Sequence, residues 1–436
     1  MNITYIGMGY VGLTHSVILA SFGNRLICVD NNKEKIQLLS QGVAPIEEPD
    51  LQTLLTEARP NLSFTTSIHD ALLENHVVFV AVDTSVNEDG SFNLDNLDKA
   101  MESIAKYANS KTYVVIKSTV PVGTFERYEK YFKENCKHEV LLFEEPVFAR
   151  SGQLVYDLLN PQRVVIGLKR EEMIKTIVAG LARFYGTKPK MIYVRPEEAE
   201  LIKITSDAFL ANKIAFVSDI SRLCEKLDVN LDHVLYGASL DPRIGPSCME
   251  TGVGYAGPWL KGALSYLAYE GDRHMDSLRT AKAALQTNEI QLDYFLRKIY
   301  GRFRSVQAKK IAVLGASYKG GTDDIRGSYA ISIIKGFLDK GADVNLYDPL
   351  AEDNIQPFFS RHTHIKYCDY YQDALKGADF CVILNKTKEV QEIPPEIYKS
   401  LMRKAIIFDA RNLYRPDQMN GVEYHSIGRP SVNVKK

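Results

Sequence analysis

The chain has 436 residues, 45% hydrophobic and 25% charged, and its 53 Lys and Arg nearly balance 54 Asp and Glu for a formal net charge of -1. This is a globular composition, long enough for two or three domains with buried cores, and it argues against nucleic-acid or membrane-surface partners. Six scattered cysteines, Cys28, Cys136, Cys224, Cys248, Cys368 and Cys381, form no CxxC pair. Buried thiols in a reducing compartment are expected rather than a disulfide framework, and no metal site is expected. No apolar run reaches about 18 residues and no signal-like segment precedes the first strand, so the expected location is the cytoplasm.

Residues 3–6 read as a short apolar strand, residues 13–21 as a helix and residues 25–29 as a second strand that ends at Asp30. Between the first strand and the helix lies Gly7-Met8-Gly9-Tyr10-Val11-Gly12, a GxGxxG spacing. In such a turn Gly7 permits the tight bend, Gly9 lets the backbone reach a pyrophosphate, and Gly12 lets helix and strand pack closely. The helix N-terminus supplies N–H groups and a favourable dipole for phosphate, with Tyr10 and Val11 in the turn before it. Asp30 would accept hydrogen bonds from a ribose, so NAD is the expected cofactor. The plainer alternative is a glycine-rich turn with no ligand; strand, helix, second strand and terminal acid in that order favour the dinucleotide.

Further continuous apolar strands are expected at 77–82, ending in Asp83-Thr84-Ser85, and at 114–116, ending in Lys117-Ser118-Thr119. Another at 141–143 leads into Glu145-Pro146-Val147-Phe148-Ala149-Arg150-Ser151-Gly152. Polar residues at the carboxyl ends of parallel strands line the crevice where ligands bind. Residues 196–228 read as one long helix, with Pro196 in its first turn and Leu201, Ile204, Ala208, Ala211 and Ala215 at helical spacing. Lys203 and Asp207, four apart, share a face of it. Residues 264–299 read as helical, 301–310 as a basic linker, and Lys309 onward as a second βαβ pattern without GxGxxG. Its strands are expected at 344–347 before Asp348, at 380–384 and at 405–408. The fold class is therefore α/β: two Rossmann-like doubly wound domains joined by a long central helix, divided at 1–195, 196–300 and 301–436.

Several stretches resemble the UDP-glucose/GDP-mannose dehydrogenase family: KSTVPVGT at 117–124, AELIK at 199–203 followed by AFLA at 208–211, DPRIG at 241–245, GVGYAG at 252–257, TDDIR at 322–326 and DARN at 409–412. The resemblance runs from residue 3 to about 412. It implies an NAD-binding amino-terminal domain, a central helical dimerisation segment and a carboxyl-terminal nucleotide-sugar domain, hence a homodimer and a UDP-sugar or similar substrate. Lys35 and Thr84 would join Gly7, Gly9, Tyr10, Val11, Gly12 and Asp30 at the cofactor, as would Thr119, which in the family helps position a catalytic water, and Arg326. Lys203, Arg243, Tyr255, Gly257, Tyr318, Lys319 and Arg411 would bind the substrate, with Arg243 reaching in from the partner subunit. Lys203 can stabilise a developing alkoxide, and Asp207, an asparagine in the family, would hold it charged. A surface ion pair is the plainer reading of Lys203 and Asp207.

The chain also departs from the family pattern. The catalytic cysteine falls on Trp259 or, with a one-residue deletion, on Pro258. Gly262 would stand for an aspartate, and Val147 and Ser151 for two glutamates. Lys-Pro-Asn-Thr has become Lys319-Gly320-Gly321-Thr322, and Thr-Glu-Trp has become Asn385-Lys386-Thr387. The family oxidises a sugar alcohol to an acid in two hydride steps through a thioester on that cysteine. Two classes of function stay open: an NAD-dependent oxidoreductase on a nucleotide sugar, with Lys203, Asp207 and Thr119 as its polar residues, that stops after one step or uses an aldehyde hydrate; or a non-catalytic NAD- and UDP-sugar-binding partner or regulator.

Overall fold

A computed structural model describes residues 1–73, 75–169 and 189–433, and the chain divides into two compact units, Met1–Ser206 and Asp207–Lys436. In the first unit eight strands form one sheet in the order Lys190–Val194, Arg163–Gly167, Val140–Glu144, Thr112–Ile116, Val77–Val80, Asn2–Ile6, Arg25–Val29, Leu62–Thr65. Its first six strands in chain order give 3-2-1-4-5-6, the dinucleotide-binding arrangement. These six run parallel; Gly167 meets Glu144 in a single antiparallel bridge, where the seventh strand joins. The continuous apolar runs follow from burial on both faces. Phe79 and Val115 join the core on one side, while Val78, Val80, Val114 and Ile116 join the core on the other. Helix Asp95–Tyr107 covers the second side with Leu97, Ala100, Met101, Ile104 and Ala105, an i, i+3, i+4 stripe.

The second unit carries six parallel strands in the order Ile365–Tyr367, Asp343–Tyr347, Lys310–Leu314, Phe380–Ile383, Ile406–Asp409, Glu423–His425, again 3-2-1-4-5-6. The two sheets share one device. An aspartate just past the second strand accepts backbone N–H groups from the loop after the first: Asp30 from Met8 at 2.8 Å, Asp348 from Ala316 at 2.6 Å and Ser317 at 3.1 Å. A loop that leaves a buried strand has amides in need of acceptors, and a carboxylate one strand over supplies them.

The expected helix over 264–299 is two helices, Pro258–Arg273 and Arg279–Arg302. The break is made at Gly271, where an added Cβ would stand 2.5 Å from the Asp276 carbonyl oxygen, and at Met275, which takes φ 56. The central helix spans Pro196–Lys226. Of its small apolar stripe, Ile204, Ala208, Ala211 and Ala215 are buried within the chain, while Leu201 is 43% exposed. The open stripe is bulkier, with Phe209 71%, Phe216 64% and Leu223 50% exposed at seven-residue spacing. Among the described residues no helix is long and apolar enough to cross a membrane.

One buried acid pair ties the start of this helix to the sheet. The Glu200 carboxylate accepts the N–H of Gly123 at 2.7 Å and of Phe125 at 2.8 Å, at the start of helix Thr124–Asn135. Burial lifts the Glu200 pKa to about 7, and burial together with Glu200 itself pushes Glu144 well above the carboxyl range. The folded chain therefore holds a proton on Glu200 at pH values where the unfolded chain has lost it. The stabilisation is complete below about 4.3 and is lost as pH rises through about 7, by an amount on the order of 3 kcal/mol. Urea unfolding of wild type at pH 5 and pH 8 should show this fall, and Glu200→Gln should reduce it to the part that Glu144 contributes; the same slope in both proteins would dismiss the assignment.

Candidate functional site

The first turn is built around close contacts. A Cβ on Gly12 would stand 1.8 Å from the Gly7 carbonyl oxygen, and one on Gly7, at φ 97, would stand 2.5 Å from the Ala81 carbonyl oxygen. Gly9 differs: among the described residues no atom lies within 4 Å of where its Cβ would be, so the space beside it is open. Helix Tyr10–Ser21 begins there with no side-chain cap and no acidic residue in its first turn, which leaves its N–H groups and dipole available to an anion. Asp30 is aimed by three donors, the Met8 N–H at 2.8 Å, the Asn32 N–H at 2.9 Å and Lys35 Nζ at 3.3 Å. The turn, the open space at Gly9, the uncapped helix and the acid fit a dinucleotide.

Polar groups gather where the parallel strands end. Thr84 Oγ1 donates to the Thr119 carbonyl oxygen at 2.6 Å, which brings these two predicted residues together, and Ser118 Oγ donates to Val82 O at 2.7 Å. Beside them lies a pair that the sequence reading missed: Lys117 Nζ stands 2.8 Å from Glu145 Oε1, both side chains 2% exposed. An ion pair so deep persists because removing either partner would strand a buried charge. Beneath it the Tyr5 hydroxyl and His15 Nδ1 lie 3.1 Å apart. Burial first, and Lys117 second, hold the His15 pKa well below the usual imidazole value. Lys117 and Glu145 stand out in the sequence as polar residues after apolar strands, but their pairing does not; Tyr5 and His15 are hidden within an apolar strand and helix.

Lys203 is buried, with its ammonium 5.6 Å from the centre of the Phe148 ring; the Arg163 guanidinium lies 4.1 Å from the same ring. The segment around Val147 and Ser151 is fixed by Glu48, which accepts the N–H of Gly152 at 2.7 Å, and by the Arg150–Asp157 pair at 2.6 Å. Asp207, one turn beyond Lys203, is also buried.

In the second unit Arg411 Nε donates to Leu384 O at 2.7 Å, and its terminal nitrogen donates to Tyr318 O at 3.1 Å. The glycine loop lies directly against these residues. A Cβ on Gly252 would stand 2.8 Å from Ala410 O and 3.3 Å from an Arg411 nitrogen, and one on Gly257 would stand 2.8 Å from the Tyr318 ring. Tyr255 is anchored within the unit: its N–H donates to Asn288 Oδ1 at 2.8 Å and its hydroxyl to Ala284 O at 3.2 Å. Arg243 is exposed and pairs with its neighbour Asp241 at 2.6 Å. Pro258 and Trp259 open helix Pro258–Arg273, and the Arg326 guanidinium, which also pairs with Asp324 at 2.8 Å, lies 5.6 Å from the centre of the Trp259 ring. Among the described residues no cluster of His, Cys, Asp or Glu is arranged to hold a metal.

Two dinucleotide-type sheets, one with an open turn beside Gly9 and one with a half-buried arginine against a glycine loop, fit the class of NAD-dependent nucleotide-sugar dehydrogenases. The chain matches the NAD-binding domain of the UDP-glucose/GDP-mannose dehydrogenase family over residues 1–185, its central domain over 197–290 and its UDP-binding domain over 312–416. The chain belongs to that family. It is 35% identical to the UDP-glucose 6-dehydrogenase YwqF of Bacillus subtilis, over 99% of this chain and 98% of the relative. It is also 35% identical to the UDP-glucose 6-dehydrogenase of Rhizobium meliloti, over 99% of this chain and 100% of the relative. The structure of a UDP-glucose dehydrogenase from Pyrobaculum islandicum superposes with a TM-score of 0.89 at 26% identity, covering 98% of each chain.

Titration with NAD and NADP should give at least about tenfold tighter binding of NAD, or ~1.4 kcal/mol. Asp30→Ala should narrow that preference, and Gly12→Val, which places side-chain atoms on the Gly7 carbonyl, should remove NAD binding. Equal affinities for the two dinucleotides in wild type would contradict the role given to Asp30.

Proposed function

We propose that this chain oxidises a UDP-sugar or similar nucleotide sugar by a single hydride step and lacks the covalent thioester route to the uronic acid. The observation that carries this reading is the pair Pro258-Trp259, which stands at the start of its helix where the family's nucleophile is expected. Neither side chain can attack an aldehyde carbon. Bound NAD would accept the hydride. Lys203, buried beside Phe148, stabilises the alkoxide that develops on the sugar, because a fixed ammonium in a dry setting acts strongly on new negative charge. Asp207, one turn on and also buried, is the second polar residue on this helix face, and Thr119, tied to Thr84, orients water or substrate at the strand ends. Lys319, Arg411, Tyr318 and Gly257 hold the nucleotide sugar. With Val147 in place of a carboxylate, no acid stands at that position to take a proton in a hydrolytic step.

We assign residues 1–195 to NAD binding, 196–300 to dimerisation and 301–436 to nucleotide-sugar binding, with Arg243 contributed to the site of a partner subunit and the assembly residing in the cytoplasm. The exposed Phe209, Phe216 and Leu223 support the dimer, since a contiguous apolar stripe of this kind is covered in a stable assembly. Phe216→Glu should convert the dimer to monomer in sedimentation at micromolar concentration; a wild type that is monomeric there would refute the assembly.

Incubation with UDP-glucose, other UDP-sugars and NAD, followed by mass analysis, should yield one NADH per sugar and an aldehyde or ketone. Two NADH per sugar with an acyl adduct on Cys248 would refute the single-step reading. Tight binding of both ligands without turnover would replace it with the non-catalytic partner or regulator, a reading favoured by the joint change at Val147, Ser151, Trp259 and Gly262.

A further inference from the structure

Two departures from the family pattern meet in space. A Cβ on Gly320 would stand 1.9 Å from the Lys386 carbonyl oxygen and 2.6 Å from its carbonyl carbon, so the backbone at Lys386 reaches its position only because residue 320 has no side chain. This brings the Lys386 backbone beside the segment of Lys319 and Tyr318, whose carbonyl holds Arg411. The Lys386 ammonium donates to Glu250, 136 residues earlier, at 2.7 Å. Glu250 lies two residues before Gly252, the glycine packed on Ala410 and Arg411. Its carboxyl is held below the usual range by Lys386 first, and further by Lys319 and Arg411. The Glu250 side chain remains 80% exposed and Lys386 36%, so neither is part of the core. A carboxylate thus sits in a field of three cations that come from three different segments.

We propose that Lys386 is a third cationic ligand for the diphosphate of the substrate and that Glu250 is its internal stand-in, displaced when the diphosphate binds. This rests on the reading of the second unit as a nucleotide-diphosphate site. A carboxylate and a phosphate compete for the same ammonium, and two anions beside Lys319 and Arg411 repel each other. The glycine at 320 serves this arrangement by letting a lysine-bearing turn approach the site from the end of strand Phe380–Ile383.

The test is calorimetric titration of the full-length chain with UDP at low salt. Glu250→Gln removes the competitor and should tighten UDP about three- to tenfold; Lys386→Met removes a ligand and should weaken it about five- to thirtyfold. Lys386→Arg should retain most of the affinity, and the Glu250→Gln effect should shrink in 1 M salt. A latch that merely orders the loop would make Glu250→Gln and Lys386→Met shift affinity in the same direction, and that result overturns the proposal, as does no change in either. Wild type that binds no UDP would overturn the nucleotide-diphosphate reading itself, and this proposal with it.

Discussion

The contact between Gly12 and the Gly7 carbonyl governs the amino-terminal unit. At 1.8 Å from that oxygen there is no room for a Cβ, so the first helix can lie this close to the first strand only with glycine at 12. That approach aims the helix start at the strand ends, leaves Gly9 facing open space and lets Met8 reach Asp30. The parallel sheet then does the rest. Its neighbouring strands, Val77–Val80, Thr112–Ile116 and Val140–Glu144, all end on the same edge, which gathers Thr84, Thr119, Lys117 and Glu145.

The second unit repeats this logic with a different turn. It has the same strand order and the same aspartate clamp, now Asp348 on Ala316 and Ser317. Yet the chain after strand Lys310–Leu314 runs through Tyr318, Lys319 and Arg326 before helix Tyr329–Leu338 begins. A turn of that length cannot offer a helix N-terminus directly after the strand. It offers side chains instead, and on the proposed reading the cations beside Arg411 take over the part that backbone amides play in the first unit.

On the proposed reading the loop keeps its scaffold while its chemistry changes. Proline at the first helical position costs nothing in hydrogen bonding, because that amide has no intrahelical partner. The Trp259 ring sits by Arg326, whose guanidinium is already braced by Asp324. Pro258 and Trp259 are therefore accommodated by local packing, beside the glycine contacts on Tyr318 and Arg411 that shape the loop.

The local patterns were legible in the chain itself. The turn at residues 7–12, the acid at 30, the buried strands and the long helix from Pro196 depend on backbone freedom, strand burial and helix spacing, all of which act over a few residues. The break near Met275 was not legible, because Gly271 there admits a carbonyl five residues on, and a lone glycine in a helical pattern does not announce such a turn. Nor was the outward face of the central helix: both its small and its large apolar stripes satisfy the helical period, and only packing decides that Ala208, Ala211 and Ala215 turn inward and Phe209 and Phe216 outward. The pairs Lys117–Glu145, Tyr5–His15 and Lys386–Glu250 belong to the tertiary structure alone. Each joins residues from different elements, and a charge or a hydroxyl in a sequence carries no record of which distant partner will satisfy it once both leave bulk water.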